Sequence, residues 1–151
     1  MWHSWLMRSV REFRREIDVA APAERVWAVL CEVERWPEWT ESMAEITALA
    51  PGGVAVGSQF RVLQPRLPVT IWTVTELAKD ASFAWASRAG IITSFADHQV
   101  TPAADGCRVE LLFRQTGPLA WLSALIFGRL IRTYLSMEAE GLKRRAEQGT
   151  S

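Results

Sequence analysis

The sequence predicts one α+β domain in which a curved antiparallel sheet of about seven strands wraps around a long C-terminal helix, with two short helices after the first strand. Three observations predict it. Apolar residues recur with a period of two through most of residues 42 to 116, the span is cut by short turn signals, and a long helical pattern follows Gly117-Pro118. A single long helix cannot bury itself, so the sheet has to curl around it.

The elements follow in order. In residues 11–19 Phe13, Ile17 and Val19 alternate with charged residues, which reads as a strand with one wet face. Ala20-Ala21-Pro22-Ala23-Glu24 then opens a helix running to about Glu32, with Val26, Trp27, Val29 and Leu30 on its apolar face. At Glu34-Arg35-Trp36-Pro37-Glu38-Trp39 the pattern breaks, because Pro37 disfavours a helical residue before it. A short second helix or a tight corner is expected there, with Trp36 and Trp39 wedging it against the sheet edge.

Six further strands are expected near 42–49, 57–64, 67–77, 81–88, 91–101 and 107–116. Pro51-Gly52-Gly53, Pro65 to Pro68, Lys79-Asp80, Ala89-Gly90 and Asp105-Gly106 separate them. Such short connections fit an antiparallel meander.

The last helix is expected over 119–147. Arg129, Arg132, Ser136, Glu140, Lys143 and Glu147 fall on one stripe and should face water. Phe127, Leu130, Ile131, Tyr134, Glu138 and Leu142 lie opposite and should face the sheet. Glu138 is the exception in that set, since a buried carboxylate is costly unless paired. The first half of the helix is apolar all round, because Trp121, Leu122 and Leu125 project onto or beside the polar stripe, flanked by Ile126. Three readings of that face stay open: cover by the end of the first strand or a loop, a homodimer contact through Trp121, Leu122 and Leu125, or a greasy rim around a ligand entrance.

Composition excludes several classes. The 151 residues suit one domain, read as residues 1–151 with an N-terminal extension over 1–10. The 17 basic and 17 acidic residues cancel, leaving no basic excess to neutralise phosphates, so no nucleic-acid partner is expected. The clusters Arg8, Arg11, Arg14, Arg15 and Lys143, Arg144, Arg145 read as solvated surface. Cys31 and Cys107 make no disulfide framework, and His3 and His98 are isolated, so no metal site is expected. No cofactor motif appears; Gly52-Gly53 reads as a turn and not a phosphate loop. Residues 1–10 are too short and interrupted for a signal peptide, and no run reaches the ~20 apolar residues of a membrane span. A cytoplasmic location is the resulting expectation. Eight Trp residues against one Tyr favour rigid aromatic walls.

The phrases IDVAAPAERVWAVLCEVERWPEWTESM, VGSQFRVLQPRLPVTIWTVTEL, SFAWAS, ADHQV, DGCRVEL and GPLAWL…YLSMEAEGLKRRAE, in this order, resemble the START-like (SRPBCC) superfamily, and within it the polyketide cyclase/dehydrase and lipid-transport type. The resemblance spans residues 11 to 148. It implies a helix-grip fold with a deep cavity between the sheet and the last helix. Lipid carriers, hormone-binding proteins, cyclases, aromatases and chaperone cofactors share that fold, so it implies no single activity.

Strand parity puts His98 on the face of Ala96 and Val100, turned inward, with Asp97 and Gln99 outward; Phe95 then points the wrong way unless a bulge intervenes. The resemblance also implies a His in this strand. Glu138 is its natural partner, and the pair is the one candidate for proton transfer, with Tyr134 as an alternative. The expected cavity lining is Phe60, Trp72, Val74, Phe83, Trp85, His98, Val109, Leu111, Phe113, Phe127, Leu130, Ile131, Tyr134 and Glu138. Three functions remain in play: a binding protein or carrier for a small hydrophobic ligand (lipid, isoprenoid or aromatic/polyketide-like), a cofactor-free polyketide cyclase or dehydratase using the cavity His/Glu pair, and a module docking a protein partner through the apolar start of the last helix.

Overall fold

The computed structural model describes residues 9–148. The chain runs β1 (Val10–Val19), α1 (Ala23–Cys31), a 3-10 helix (Val33–Glu38), β2 (Glu45–Ala48), β3 (Gln59–Leu63), β4 (Thr70–Ala78), β5 (Ser82–Ala89), β6 (Ile92–Ala103), β7 (Gly106–Thr116) and α2 (Ala120–Gln148). Val10 already belongs to β1, and the rest of the extension expected over 1–10, apart from Ser9, lies outside the described residues.

The seven strands form one antiparallel sheet in the order β1-β7-β6-β5-β4-β3-β2. β2 to β7 are a meander, as the short turns predict. β1 sits at one edge and β2 at the other, so the segment between them has to cross the end of the sheet. α1 and the 3-10 helix make that crossing. α1 starts at Pro22, whose extended backbone and fixed φ suit a helix entrance, and it buries Val26 and Leu30. Pro37 sits inside the 3-10 helix, and Trp39 and Thr40 both donate backbone N–H groups to the Trp36 carbonyl.

The pleat puts alternate residues on the concave face, and cross-strand register sorts them into rows. One row is Phe60, Trp72, Ser87, Ser94 and Gln115 on β3 to β7. The next is Val74, Trp85, Ala96, Phe113 and Phe13 on β4, β5, β6, β7 and β1. A third holds Phe83, His98 and Leu111. α2 lies across these rows and buries Ile131, Tyr134, Leu135, Glu138, Ala139 and Leu142. Of the stripe expected to face water, Arg129, Arg132 and Glu140 are exposed and Ser136, Lys143 and Glu147 are half-buried.

The structure corrects three details. β2 begins at Glu45 rather than near 42, because Thr40 and Ser42 are hydrogen-bonded to each other in a turn. β4 begins at Thr70 rather than 67, because residues 64–67 form a turn closed by Leu67 N–H on the Gln64 carbonyl. Trp36 does not wedge a sheet edge: it is fully buried against Trp85, Phe83 and His98, at ring separations of 5.0, 5.7 and 5.3 Å. Phe95 needs no bulge. It faces outward beneath the Arg114 guanidinium, 4.7 Å from its ring centre.

α2 reaches the crossing segment through Gly141. A Cβ there would lie 1.9 Å from the Trp39 carbonyl oxygen, so only glycine allows this approach. Gly141→Ala should therefore destabilise the fold by about 3 kcal/mol in urea denaturation. Gly128→Ala is the control: its nearest neighbour would be the mobile Arg132 side chain at 3.5 Å, and the better helix former should leave stability equal or raised by up to about 1 kcal/mol.

Candidate functional site

Between the concave face and α2 lies a cavity of about 70 Å³. A water molecule's share of the liquid is ~30 Å³, so the space matches about two waters. Trp72, Trp85, His98, Leu111, Phe113, Ile131, Tyr134 and Glu138 line it, all of them expected there. Phe60, Val74, Phe83 and Val109 are buried in the surrounding core without lining it, and Phe127 and Leu130 are half-buried on α2. Trp36, Met43, Gln64, Leu67 and Leu135 line it as well and were not anticipated. Leu135 had a readable signal, since it lies one turn from Ile131 on the sheet-facing side of the helix. Trp36, Met43, Gln64 and Leu67 come from the crossing segment and a turn, where no period reveals a face.

His98 and Glu138 meet inside this space. His98 Nε2 is 2.7 Å from Glu138 Oε1, and His98 Nδ1 is 2.9 Å from the Phe83 carbonyl oxygen. A carbonyl only accepts, so Nδ1 carries a hydrogen and donates it. A proton must then also lie between Nε2 and Oε1, and the arrangement is that of an imidazolium donating from both nitrogens. Burial disfavours the charged ring, but the hydrogen bond and charge of Glu138, with the Phe83 carbonyl and the charge of Asp97, outweigh it and hold His98 above its ordinary pKa. Trp36 and Phe83 stand edge-on to the ring at 5.3 and 5.4 Å. Glu138 is 8% exposed, and its Oε2 takes no hydrogen bond among the described residues. The pair therefore offers the cavity one carboxylate oxygen, held in place by a charged partner behind it.

Tyr134 lines the cavity beside the β3–β4 turn. Its hydroxyl donates to the carbonyl of Pro65. Residues 64–67 explain why that carbonyl is available. Pro65 is followed by Arg66 at φ 70°, the pattern of a type II turn, in which the central peptide is flipped. The Tyr134 hydroxyl is thus engaged by the β3–β4 turn.

Other candidate groups are inert. The Cys31 thiol is pushed up to about 11 by burial and the nearby charge of Asp80, and burial raises Cys107 too, so neither is an activated nucleophile. Both cysteines are free. No group of three metal-ligating side chains occurs among the described residues. No helix of the described residues is long and apolar enough to cross a membrane. At the start of α2, Trp121 is 44% and Leu125 75% exposed, while Leu122 is half-buried.

Comparison with known proteins places this architecture. Residues 10–147 match the family model described as polyketide cyclase/dehydrase and lipid transport, and the chain belongs to that family, within the START-like (SRPBCC) group. Its fold is the helix grip shared by solved structures of low sequence identity. The di-domain ARO/CYC StfQ from the steffimycin biosynthetic pathway superimposes with a TM-score of 0.75 at 15% identity, over 97% of this chain and 53% of StfQ, so the chain spans about half of that protein. TTHA0849 from Thermus thermophilus gives 0.75 at 18% identity, covering 93% of this chain and 100% of that one. Norcoclaurine synthase from Thalictrum flavum gives 0.74 at 14%, covering 95% and 90%. No curated protein matches the chain by sequence.

The raised His98 pKa fixes the sign of a pH effect. A group raised on folding adds stability that is complete below its unfolded value, about 6.5, and is lost as pH rises through the folded value. Glu138→Gln should cost about 1–3 kcal/mol near pH 6, and the gap from the unaltered protein should narrow at higher pH. Urea midpoints of the two proteins that run parallel from acid to alkaline pH would rule out the ion pair.

Proposed function

We propose that the domain binds a small ring-shaped apolar ligand, with a hydrogen-bond donor of that ligand turned toward Glu138, and serves as its binding protein or carrier. The observation that carries this reading is the cavity-facing carboxylate held by buried His98 among aromatic walls. Apolar cavities with a few placed polar groups are the usual form of small-molecule sites. Flat rigid walls from Trp36, Trp72, Trp85 and Phe113 suit stacked rings better than a flexible acyl chain. The family description, polyketide cyclase/dehydrase and lipid transport, allows either ligand class. A solved norcoclaurine synthase complex holds dopamine and hydroxybenzaldehyde, both single-ring aromatics.

The cavity has to expand to admit such a ligand, since an engineered cavity that takes benzene measures ~150 Å³, about twice this volume. Release of Tyr134 from Pro65 is the natural opening step, because it frees the β3–β4 turn from α2 without disturbing the sheet ladder.

A second reading, a cofactor-free cyclase or dehydratase, draws support from the same pair. A carboxylate backed by an imidazolium can take up and return a proton, which typically contributes about 10²–10⁴-fold to a rate. Under that reading Glu138→Gln abolishes turnover while ligand still binds; under the carrier reading no turnover exists to lose.

Titration with 2-naphthol, followed by tryptophan fluorescence, should give saturable one-to-one quenching, whereas decanoate should not bind. Glu138→Gln should weaken 2-naphthol by about tenfold and leave naphthalene nearly unchanged. Tight decanoate binding, or no saturable aromatic binding, would overturn the aromatic reading. Tyr134→Phe should speed association of 2-naphthol in stopped-flow measurements, and an unchanged rate would remove the Tyr134 latch from the access route.

A further inference from the structure

The row Phe60, Trp72, Ser87, Ser94, Gln115 is unusual for a concave core face, because everything after Phe60 carries a polar atom. Its Gln115 end is satisfied: Gln115 Nε2 donates to Ser94 Oγ at 3.3 Å, and Ser123 of α2 donates to Gln115 Oε1 at 2.9 Å. The Trp72 end is not. Trp72 and Ser87 are each 6% exposed, yet the Trp72 indole N–H and the Ser87 hydroxyl have no partner among the described residues. Buried polar groups left without partners are uncommon and costly, and here two of them stand together.

Register makes the pair a unit. Trp72 on β4 and Ser87 on β5 are directly opposite one another, and such cross-strand neighbours have Cβ atoms about 5 Å apart on one face. An indole nitrogen can only donate, and a serine hydroxyl can donate as well. Their common complement is an oxygen acceptor. Trp72 also lines the cavity that holds the His98–Glu138 pair, and Ser87, outside that lining, adjoins it through Trp72. On β6 the two rows lie four residues apart, Ser94 against His98, or about 13 Å along the strand.

We propose that Trp72 and Ser87 form a second polar subsite of the cavity, which takes an oxygen acceptor such as a carbonyl, while Glu138 takes a donor at the other end. The inference rests on that cavity being a ligand site. It narrows the ligand class to extended ring systems with an acceptor at one end and a hydroxyl or amine at the other.

A matched pair of probes separates the two ideas. 6-Acetyl-2-naphthol and 6-ethyl-2-naphthol share the ring and the donor and differ in the acceptor. The acetyl compound should bind the unaltered protein about tenfold more tightly. Trp72→Phe, which keeps an aromatic wall but removes the N–H, should erase that preference by weakening the acetyl compound alone. Ser87→Ala should reduce the preference in the same direction, and it keeps the test alive if the Trp72 variant fails to fold. In nitrogen–proton spectra the indole resonance missing from Trp72→Phe should move downfield with the acetyl compound and not with the ethyl one. If both naphthols bind but Trp72→Phe and Ser87→Ala affect them equally, the subsite is overturned while the ligand-binding reading stands. If neither naphthol binds, both fall.

Discussion

His98 on β6 and Glu138 on α2 meet at 2.7 Å with both side chains buried, and a charged pair there tolerates little displacement. Each ion loses several kcal/mol of hydration on burial, and only close geometry with further hydrogen bonds offsets that loss. A closed circuit of contacts supplies the geometry. The Phe83 carbonyl orients the imidazole from behind. Trp36 stands against the ring and also packs on Trp39 at 5.6 Å. Trp39 in turn touches Gly141, one turn beyond Glu138 on the same helix. The 3-10 corner is therefore more than a connection between sheet edges. It couples the helix carrying the carboxylate to the strand carrying the imidazolium, and Gly141 is the position that lets it come close enough.

The same circuit shapes the cavity. Trp36 enters from the crossing segment and occupies space that the sheet and α2 would otherwise leave open, which keeps the volume small. The remaining space is bounded by rigid rings on the sheet side and by Ile131, Tyr134 and Leu135 on the helix side. Rings set fixed gaps, since an indole has two rotatable bonds and a long aliphatic chain has many.

How far the site was legible follows from which parts of a sequence carry a period. The strand at 91–101 shows its parity through Asp97 and Gln99, so the inward turn of His98 was readable, and a carboxylate on the apolar side of a 29-residue helix pointed to Glu138. Meander order and turn positions were readable for the same reason. Phe95 confused the parity because its cover, Arg114, comes from the neighbouring strand and leaves no mark near residue 95. Trp36 was misplaced because a proline-containing 3-10 corner has no repeating face. The row from Trp72 to Gln115 was invisible for a deeper reason: its members lie on four strands, and their adjacency is created by register, which the local pattern of any one strand does not contain.

The two halves of α2 differ in what holds them. The second half buries Leu142, Ala139 and Leu135 and carries the ion pair, so displacing it would expose apolar surface and separate two charges. The first half turns Trp121, Leu125 and Ile126 outward, and it meets the rest of the fold through buried Ala120, through Ala124 and Phe127 packed on the core, and through Ser123 on Gln115. Apolar area already in water contributes nothing to attachment, since the hydrophobic contribution scales with area removed from water. The start of α2 therefore gains less from burial than the second half does. The His98–Glu138 contact and the Gly141 approach both lie in the second half, so the two features that tolerate least displacement share one end of the helix.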